Sequence, residues 1–135
     1  MIDCMILGDS IAVGIGQARP ECVAYVKQGI DSYTWNNRNI YKNLSAGTII
    51  ISLGTNDGPQ VNTFQEILAL RQYVSAARVF WILPANKPAV QDMIKIVARN
   101  YKDTVLAIPK LNKDRLHPTR QAYQELAKQT RIEKE

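Results

Sequence analysis

Short apolar segments alternate with longer amphipathic segments along the whole chain, and this alternation is the feature that most restricts its fold. A strand buried on both faces is a short continuous apolar run, whereas a helix that packs on a sheet is apolar along one face only. The apolar runs predict five strands, at residues 2–7, 22–26, 48–53, 79–83 and 105–108. The other segments predict five helices, at about residues 11–18, 32–44, 61–76, 87–102 and 118–133.

This pattern is typical of a parallel sheet covered by helices on both faces, because parallel strands need crossover connections that usually contain a helix. Right-handed crossovers between five strands predict a flavodoxin-like three-layer α/β/α sandwich with the strand order 2-1-3-4-5. In the fourth predicted helix, one face contains Val90, Ile94, Val97 and Tyr101, as packing on a sheet requires. Because 135 residues suffice for one core, we expect a single domain over residues 1–135.

The formal net charge is +5, and the lysines and arginines that produce it are scattered from Arg19 to Lys134. Even the basic loop with Lys110, Lys113 and Arg115 is interrupted by apolar and acidic residues. Nucleic-acid binding usually requires basic side chains clustered on one face or along one helix. We therefore expect the charge to favour solubility and, mildly, anionic partners, and we predict no nucleic-acid partner. The sequence leaves the oligomeric state open.

The two cysteines, Cys4 and Cys22, lack metal-ligand spacing and allow at most one bridge within the chain. Both lie in apolar stretches, so we expect buried free thiols. Apolar residues and Asp3 follow Met1 closely without a basic segment, so no signal peptide is predicted. No apolar stretch approaches the ~18 residues of a membrane span. The expectation is a cytoplasmic or otherwise leaderless protein.

Short motifs with glycine or polar residues follow four of the five predicted strands. In open parallel sheets, ligands bind in the crevice beyond the carboxyl ends of the strands, so we expect these motifs at one edge of the sheet. In chain order they are Gly8-Asp9-Ser10, Gly29, Gly54-Thr55-Asn56-Asp57 and Asp114-Arg115-Leu116-His117. The pattern therefore predicts one candidate site built from residues that are far apart in the sequence.

Ser10 and His117 are the residues of these motifs with the chemistry of nucleophilic catalysis. A serine hydroxyl is a weak nucleophile until a neighbouring base takes its proton, and a neutral imidazole is the usual base near neutral pH. The chain has one histidine, so a histidine-activated Ser10 can pair only with His117 within the chain. Because Pro118 disfavours helical dihedrals at His117, the ring is expected to project from the end of a loop. Asp114 can then accept a hydrogen bond from the imidazole and fix its tautomer.

The negative oxygen that forms when a serine attacks an ester needs hydrogen-bond donors aimed at its position. The sequence offers the N–H of Ser10 at a helix start, the N–H of Gly29 and the side-chain amide of Asn56. Gly29 has no side chain to keep a substrate away from its N–H. We expect these three donors to form an oxyanion hole.

Four sequence blocks resemble those of the SGNH (GDSL-like) hydrolases and occur in that family's order. They are GDSIAVG at residues 8–14, QGIDS at 28–32, GTND at 54–57 and DRLHPT at 114–119. The resemblance implies a flavodoxin-like fold, a catalytic triad of Ser10, Asp114 and His117, and an oxyanion hole from Ser10, Gly29 and Asn56. It also implies ester hydrolysis through a Ser10 acyl-enzyme, with no metal and no organic cofactor.

Each motif taken alone has a simpler explanation, as an ordinary turn or a helix cap. Their joint occurrence, in this order and at strand ends, favours a catalytic site. Two other kinds of site are not indicated, because residues 14–19 lack the third glycine of a dinucleotide-binding loop and Ser10 lacks the G-x-S-x-G pattern of a nucleophile elbow. We expect structural roles for Asp9 and Asp57 as braces of the strand-end loops, and for Tyr33, Trp35 and Trp81 in core or interlayer packing.

The connections between the predicted elements are short and leave little material for a lid. We therefore expect an open site for acetyl or other short acyl esters of a carbohydrate or small molecule. Lysophospholipase-type or thioesterase-type hydrolysis is an alternative within the same resemblance. A further alternative is a non-catalytic module of this fold, which would bind an anionic ligand or a carbohydrate at the glycine-bearing strand ends.

Overall fold

A computed structural model of the protein describes residues 2–132. In this range five strands alternate with five helices, in the predicted order. The strands are β1 (Cys4–Gly8), β2 (Val23–Val26), β3 (Ser45–Ser52), β4 (Ser75–Ile82) and β5 (Thr104–Leu106). The helices are α1 (Ser10–Ala18), α2 (Ser32–Asn39), α3 (Thr63–Tyr73), α4 (Pro88–Tyr101) and α5 (Arg120–Gln129).

The strands form one parallel sheet with the order β2-β1-β3-β4-β5, which confirms the predicted topology. Gly8 at the end of β1 pairs with Val26 of β2 on one side and with Ser52 of β3 on the other. The carboxyl ends of these three strands are therefore level. The loops that follow them leave the sheet at one edge, which we call the C-terminal edge.

Helices cover both faces of the sheet. Helices α2, α3 and α4 pack on one face around a core that includes Trp35, Ile67 and Ile94. Helices α1 and α5 pack on the other face, where Ile11 and Leu126 are fully buried. In the part of the chain that the structure describes, none of these helices is both long and apolar enough to cross a membrane.

Strand β3 lies at the centre of the sheet and separates the two cores. Ile49 and Ile51 belong to the core under α2, α3 and α4, whereas Ile50 belongs to the core under α1 and α5. Successive side chains of a strand point to opposite faces, so a strand covered on both sides has no face that is free for exposed polar residues. This is why the middle of the strand, residues 49–51, is three consecutive isoleucines.

The starts of α1 and α5 differ from the prediction because capping side chains determine them, and α3 and α4 begin two residues and one residue later than expected. Helix α1 begins one residue earlier than expected, since Asp9 accepts a hydrogen bond from the N–H of Ile11 at 3.1 Å and acts as its N-cap. Helix α5 begins at Arg120 rather than at residue 118, because Thr119 caps it by accepting from the N–H of Ala122. Its expected end at residue 133 lies outside the described residues, and the helix itself ends at Gln129.

Helix α2 is shorter than predicted, and the strands β3 and β4 begin earlier. The sequence of α2 is rich in asparagine, a weak helix former, and the Asn39 side chain donates to the carbonyl of Trp35 at the helix end. Leu44, expected to end the helix, is instead buried in the core just before β3. Ser45 and Ser75 then pair and extend both strands beyond their apolar runs.

Three aromatic positions were expected to be buried in core or interlayer packing, and one of them is not. Trp35 and Trp81 are fully buried, as predicted, but Tyr33 is 55% exposed. Tyr33 and Trp35 are two residues apart on α2, and residues with this spacing do not share a helix face. Tyr101, predicted on the buried face of α4, is 37% exposed at the helix end, where the Arg71 guanidinium lies 4.3 Å from its ring centre.

Cys4 and Cys22 form a disulfide, so the expectation of buried free thiols is wrong. The register of the sheet explains the bond. Met5 of β1 pairs with Val23 of β2, which places the two preceding cysteines side by side, with their Cα atoms 4.8 Å apart. The disulfide therefore links the starts of β1 and β2, at the edge of the sheet opposite the C-terminal edge.

Candidate active site

Ser10 and His117 meet at the C-terminal edge although they are 107 residues apart in the sequence. Ser10 is the first residue of α1, directly after β1, and His117 lies in the loop between β5 and α5. The Ser10 Oγ is 2.9 Å from the His117 Nε2. A hydroxyl and an imidazole nitrogen at this distance can exchange a proton directly.

Asp114 lies on the other side of the His117 ring, with its Oδ2 2.6 Å from Nδ1. Its Oδ1 accepts hydrogen bonds from the backbone N–H groups of Leu116 and His117, both at 3.0 Å. Arg115 has a left-handed φ of 56°, which turns the chain back so that the carboxylate faces the ring. The pKa of Asp114 is lowered to about 2, mostly by the hydrogen bond to His117 and to a smaller extent by the two backbone hydrogen bonds.

The loop that contains His117 is closed on itself before α5. The N–H of Asn112 donates to the His117 carbonyl at 2.8 Å, and the Asn112 side chain donates to the Pro118 carbonyl at 3.2 Å. Leu111 and Pro118 form an antiparallel bridge. The imidazole is thus presented from a braced loop outside the helix, as the His-Pro sequence predicts.

The entry of the chain into α1 is fixed by contacts between the ends of β1 and β3. The N–H of Asp9 donates to the Ser52 carbonyl at 3.0 Å, and the Ser52 hydroxyl donates to the Asp9 Oδ1 at 3.1 Å. Gly8 has a φ of 143°, and a Cβ at this position would lie 1.9 Å from the Ser52 carbonyl oxygen. Ser10 therefore follows a junction that tolerates only glycine two residues before it.

The Asp9 carboxyl is fully buried next to Ser10. Its Oδ1 accepts from the N–H of Ile11 and from the Ser52 hydroxyl, whereas its Oδ2 has no hydrogen-bond partner among residues 2–132. Burial raises the pKa of Asp9 to about 6, although its hydrogen bonds act in the opposite direction. The predicted bracing role of Asp9 is confirmed by its contacts with Ser52.

Asp57 braces the loop after β3 against α2 and α3. Its Oδ1 accepts from the N–H of Ser32 at 2.8 Å, and its Oδ2 accepts from the hydroxyls of Ser32 at 2.6 Å and Thr63 at 2.7 Å. The Lys87 ammonium donates to the Asp57 backbone carbonyl at 2.6 Å. These contacts confirm the predicted bracing role and identify partners that the sequence did not indicate.

Gly29 lies in a turn after β2, in which the N–H of Ile30 donates to the Lys27 carbonyl at 3.4 Å. Its φ of 79° is the value that the third position of such a turn requires, and a Cβ there would meet nothing within 4 Å. Asn56, from the loop after β3, donates from Nδ2 to the Ile30 carbonyl at 3.1 Å. The predicted donors Gly29 and Asn56 are therefore neighbours, and one amide hydrogen of Asn56 remains available.

The other two predicted oxyanion donors are backbone N–H groups. Neither the N–H of Ser10 nor that of Gly29 donates to another backbone carbonyl in residues 2–132. The N–H of Ser10 lies in the first turn of α1, where helix amides lack intrahelical acceptors and the helix dipole favours negative charge. That these donors converge with Asn56 on one oxygen stays a prediction.

A cavity of about 290 Å³ opens beside the Ser10–His117 pair. Its walls include Val13 of α1, Tyr123 of α5 and Gln28 of the turn after β2. The His117 side chain is 35% exposed and the Asp114 side chain 47%. The pair is thus accessible from solvent, in line with the open site expected from the short connections.

Tyr123 is a residue at this cavity to which the sequence analysis gave no role. It is half-buried, and its ring packs so closely on α1 that a Cβ at Gly14 would lie 2.3 Å from it. Burial raises the pKa of Tyr123, and the carboxylates of Asp9 and Asp114 add to the shift. Its position three residues before the buried Leu126 on α5 was the available signal for an inward-facing side chain.

Potential metal ligands cluster elsewhere. Among residues 2–132, the one group of three histidine, cysteine or acidic side chains close enough to share a metal ion is Cys4, Glu21 and Cys22. This group lies at the opposite edge of the sheet, and its two sulfur atoms are joined to each other. The cluster therefore offers no thiolate ligands while the disulfide is intact.

Comparisons with known proteins relate the chain to solved structures by fold. No protein-family model and no curated protein sequence matches it. A protein from Bacteroides fragilis designated an acylhydrolase superposes with a TM-score of 0.71 at 19% identity, covering 93% of this chain and 83% of that one. The C-terminal catalytic domain of Streptococcus pneumoniae peptidoglycan O-acetyltransferase A, solved with a methylsulfonyl adduct, superposes with a TM-score of 0.58 at 14% identity. That alignment covers 94% of this chain and 89% of the domain, so the chain shares the α/β fold of both proteins over nearly its whole length.

Proposed function

We propose that the protein acts on acyl esters, with Ser10 as nucleophile, His117 as general base and Asp114 orienting the histidine. The observation that supports this most directly is the continuous hydrogen-bond chain through the imidazole, at 2.9 Å to Ser10 and 2.6 Å to Asp114. It is the arrangement expected of an SGNH-type hydrolase. The fold shared with a protein designated an acylhydrolase and with an O-acetyltransferase domain supports the same class of chemistry.

In the first half-reaction the Ser10 Oγ attacks the ester carbonyl carbon and its proton passes to the His117 Nε2. Donation from Nδ1–H to the Asp114 carboxylate leaves Nε2 free to accept this proton. The N–H groups of Ser10 and Gly29 and the Asn56 amide stabilise the oxyanion. The bond to the alcohol oxygen then breaks, and the departing alcohol takes the proton from His117.

In the second half-reaction a water molecule attacks the acyl-Ser10 ester while His117 accepts its proton. Collapse of this intermediate returns the proton to the Ser10 Oγ and releases the acid. An alcohol in place of water would give acyl transfer by the same steps. Because its pKa is held at about 2, Asp114 stays ionised at neutral pH and stabilises the imidazolium in both steps.

The proposed substrates are short acyl esters, acetyl esters above all, of a carbohydrate or small molecule. The cavity of about 290 Å³ beside Ser10 is at the lower end of the ~300–1,000 Å³ typical of ligand pockets. This cavity would hold the acyl group together with the start of the alcohol part, so a long acyl chain, as in lysophospholipase-type or thioesterase-type chemistry, would extend beyond it. All proton transfers in this scheme use Ser10 and His117, so it requires no cofactor.

A fluorophosphonate probe tests the proposal, because it labels serines that a neighbouring base has activated. We expect wild-type protein to be labelled at Ser10 and to hydrolyse 4-nitrophenyl acetate faster than the octanoate. Ser10→Ala should unfold at the wild-type temperature but lose labelling and turnover. Ser45→Ala, which changes an exposed serine at the opposite end of β3, is the control and should be labelled normally.

A folded Ser10→Ala protein that retains full esterase activity would overturn the proposal. Folded wild-type protein that is neither labelled nor active on any ester would favour the alternative of a non-catalytic ligand-binding module. Faster hydrolysis of long acyl esters would overturn the short-chain preference alone.

A further inference from the structure

A polar groove leads away from Ser10 along the junction of α1 and α5. The cavity beside Ser10, of about 290 Å³, and a second cavity of about 250 Å³ share Gly14, Gln17 and Tyr123 as walls. The second cavity continues between the helices as far as Arg120 and Gln124. Because their walls are shared, the two cavities form one depression. We call it the α1–α5 groove and define it by Gly14, Gln17, Gln28, Asn112, Tyr123 and Gln124.

The close approach of Tyr123 to α1 shapes this groove. The Tyr123 ring occupies the space that a side chain at position 14 would need, since a Cβ there would come within 2.3 Å of it. The ring borders both cavities and is only half-buried. It therefore supplies an aromatic surface at the point where one cavity passes into the other.

Three glutamine side chains without hydrogen-bond partners among residues 2–132 line most of the rest of the groove. Gln17 lies where the cavities meet, Gln28 at the end near Ser10 and Gln124 at the far end, and all three are exposed. Two glutamines outside the groove do have partners, since Gln91 donates to a backbone carbonyl and Gln129 to a carboxylate. The side chains of Gln17, Gln28 and Gln124 make no hydrogen bond with any residue from 2 to 132 and are free to bind a ligand, whereas the Asn112 side chain donates to the Pro118 carbonyl.

The groove is poor in charge, although the protein has a formal net charge of +5. Arg120 is the charged residue that borders its far end, and His117 is the titratable group at its near end. A carboxamide both donates and accepts hydrogen bonds, as a sugar hydroxyl does, and an aromatic ring offers an apolar surface for the carbon face of a sugar. This combination suits an uncharged ligand with many hydroxyl groups better than an anionic one.

We propose that the α1–α5 groove binds the alcohol part of the ester, and that this part is an extended uncharged oligosaccharide rather than a small molecule. The inference rests on the proposed function, because it is the position of Ser10 that assigns the near end of the groove to the substrate. Gln17, Tyr123 and Gln124 are then residues that determine substrate specificity. They determine how long a sugar chain the protein recognises, whereas the acyl group is bound by the residues around Ser10.

Steady-state kinetics on a series of O-acetylated neutral oligosaccharides, from monosaccharide to pentasaccharide, test this inference. Two or more added hydrogen bonds should raise kcat/KM by about 10-fold along the series. The Gln17→Ala/Gln124→Ala variant should lose this increase, and Gln124→Ala, which changes only the second cavity, should weaken it while its turnover of 4-nitrophenyl acetate is unchanged. Gln65→Ala, which removes an exposed glutamine of α3 on the opposite face of the sheet, should keep the increase.

Binding of the unacetylated pentasaccharide to Ser10→Ala protein, followed by amide chemical shifts, gives a readout independent of activity. Changes in the backbone amide shifts of residues 14, 17 and 124 on adding the sugar, absent when Gln17→Ala/Gln124→Ala is also present, would support binding in the groove. An active enzyme with no dependence on chain length would overturn this inference and leave the proposed function intact. Binding by a wild-type protein that hydrolyses no ester would uphold the groove and overturn the proposed function. A preference for anionic oligosaccharides that salt abolishes would overturn the assignment of an uncharged ligand.

Discussion

Asp57 accepts two hydrogen bonds from Ser32, one from its N–H at 2.8 Å and one from its hydroxyl at 2.6 Å. This contact joins the loop after β3, which contains Asn56, to the segment after β2, which contains Gly29. Asn56 adds a further link by donating to the Ile30 carbonyl at 3.1 Å. Two of the three proposed oxyanion donors therefore lie on loops that depend on one carboxylate.

We predict that Asp57→Asn lowers both stability and kcat. An amide in place of the carboxylate cannot accept all three hydrogen bonds from Ser32 and Thr63, so unfolding should cost ~1–3 kcal/mol less. Displaced oxyanion donors should reduce kcat by ~10-fold or more with little change in KM, because they act on the transition state. Urea unfolding and ester kinetics at a temperature where the variant is folded measure the two effects.

Ser32→Ala is the graded comparison for this prediction. It removes the hydroxyl contact and keeps the bond from the N–H, so its effects on stability and kcat should be smaller than those of Asp57→Asn. Wild-type kcat in folded Asp57→Asn protein would show that the carboxylate stabilises the loops without positioning the donors.

Replacement of Asp114 tests the orientation of the histidine. Asp114→Asn should reduce kcat by ~10²–10⁴-fold, because an amide favours the wrong imidazole tautomer and does not stabilise the imidazolium. The carboxylate is exposed, so the unfolding temperature should change little. Asp92→Asn, an exposed carboxylate on α4, is the matched control. Equal activity of the two variants would contradict the proposed role of Asp114.

The buried carboxyl of Asp9 should make the free energy of unfolding depend on pH. Its folded-state pKa of about 6 lies above its ordinary value of 3.8, so the folded state binds this proton more tightly than the unfolded state. The associated stability, on the order of 3 kcal/mol, is complete below about pH 4 and is lost as the pH rises through 6. Asp9→Asn cannot ionise, and its side chain can still accept from the N–H of Ile11.

Relative to wild type, Asp9→Asn should therefore be more stable at pH 8 than at pH 4. Urea unfolding of both proteins at the two pH values gives this difference, and groups that titrate in both proteins cancel from it. A stability difference that is the same at both pH values would show that the Asp9 carboxyl does not titrate in this range.

The disulfide between Cys4 and Cys22 should stabilise the fold without affecting catalysis. It closes a loop with a sequence separation of 18, for which the loss of chain entropy in the unfolded state predicts ~3 kcal/mol. Cys4→Ala/Cys22→Ala should lower the urea midpoint but keep ester turnover at 25 °C, because the bond lies at the opposite edge from Ser10. Reductant should destabilise wild type and leave the variant unchanged. An unaltered midpoint after full reduction would contradict this prediction.

The strand order and the meeting of Ser10 with His117 could be predicted for physical reasons. Parallel strands buried on both faces are continuous apolar runs, and right-handed crossovers leave few possible topologies for five of them. Polar residues that follow such runs must gather at one edge of the sheet, and a chain with one histidine has one imidazole that can reach Ser10.

Contacts that depend on strand register or on tertiary packing could not be predicted from the sequence. A spacing of 18 residues does not show that two cysteines are neighbours, although their positions just before two adjacent strands were a usable signal. Asp57 is another example, because its partners Ser32 and Thr63 lie on helices α2 and α3. The packing of these helices on the sheet decides how close they come to Asp57.

The junction of β1 and β3 has a consequence for descendants of this protein. A methyl group at position 8 would overlap the carbonyl oxygen of Ser52, so a saturation library selected only for folding should return the parental glycine. If Ser10 is the nucleophile, a homologue without esterase activity would keep Gly8 for the same steric reason, while position 10 would be free to drift. The first glycine of the GDS block is thus a marker of architecture, and the serine two places later would be the marker of the proposed chemistry.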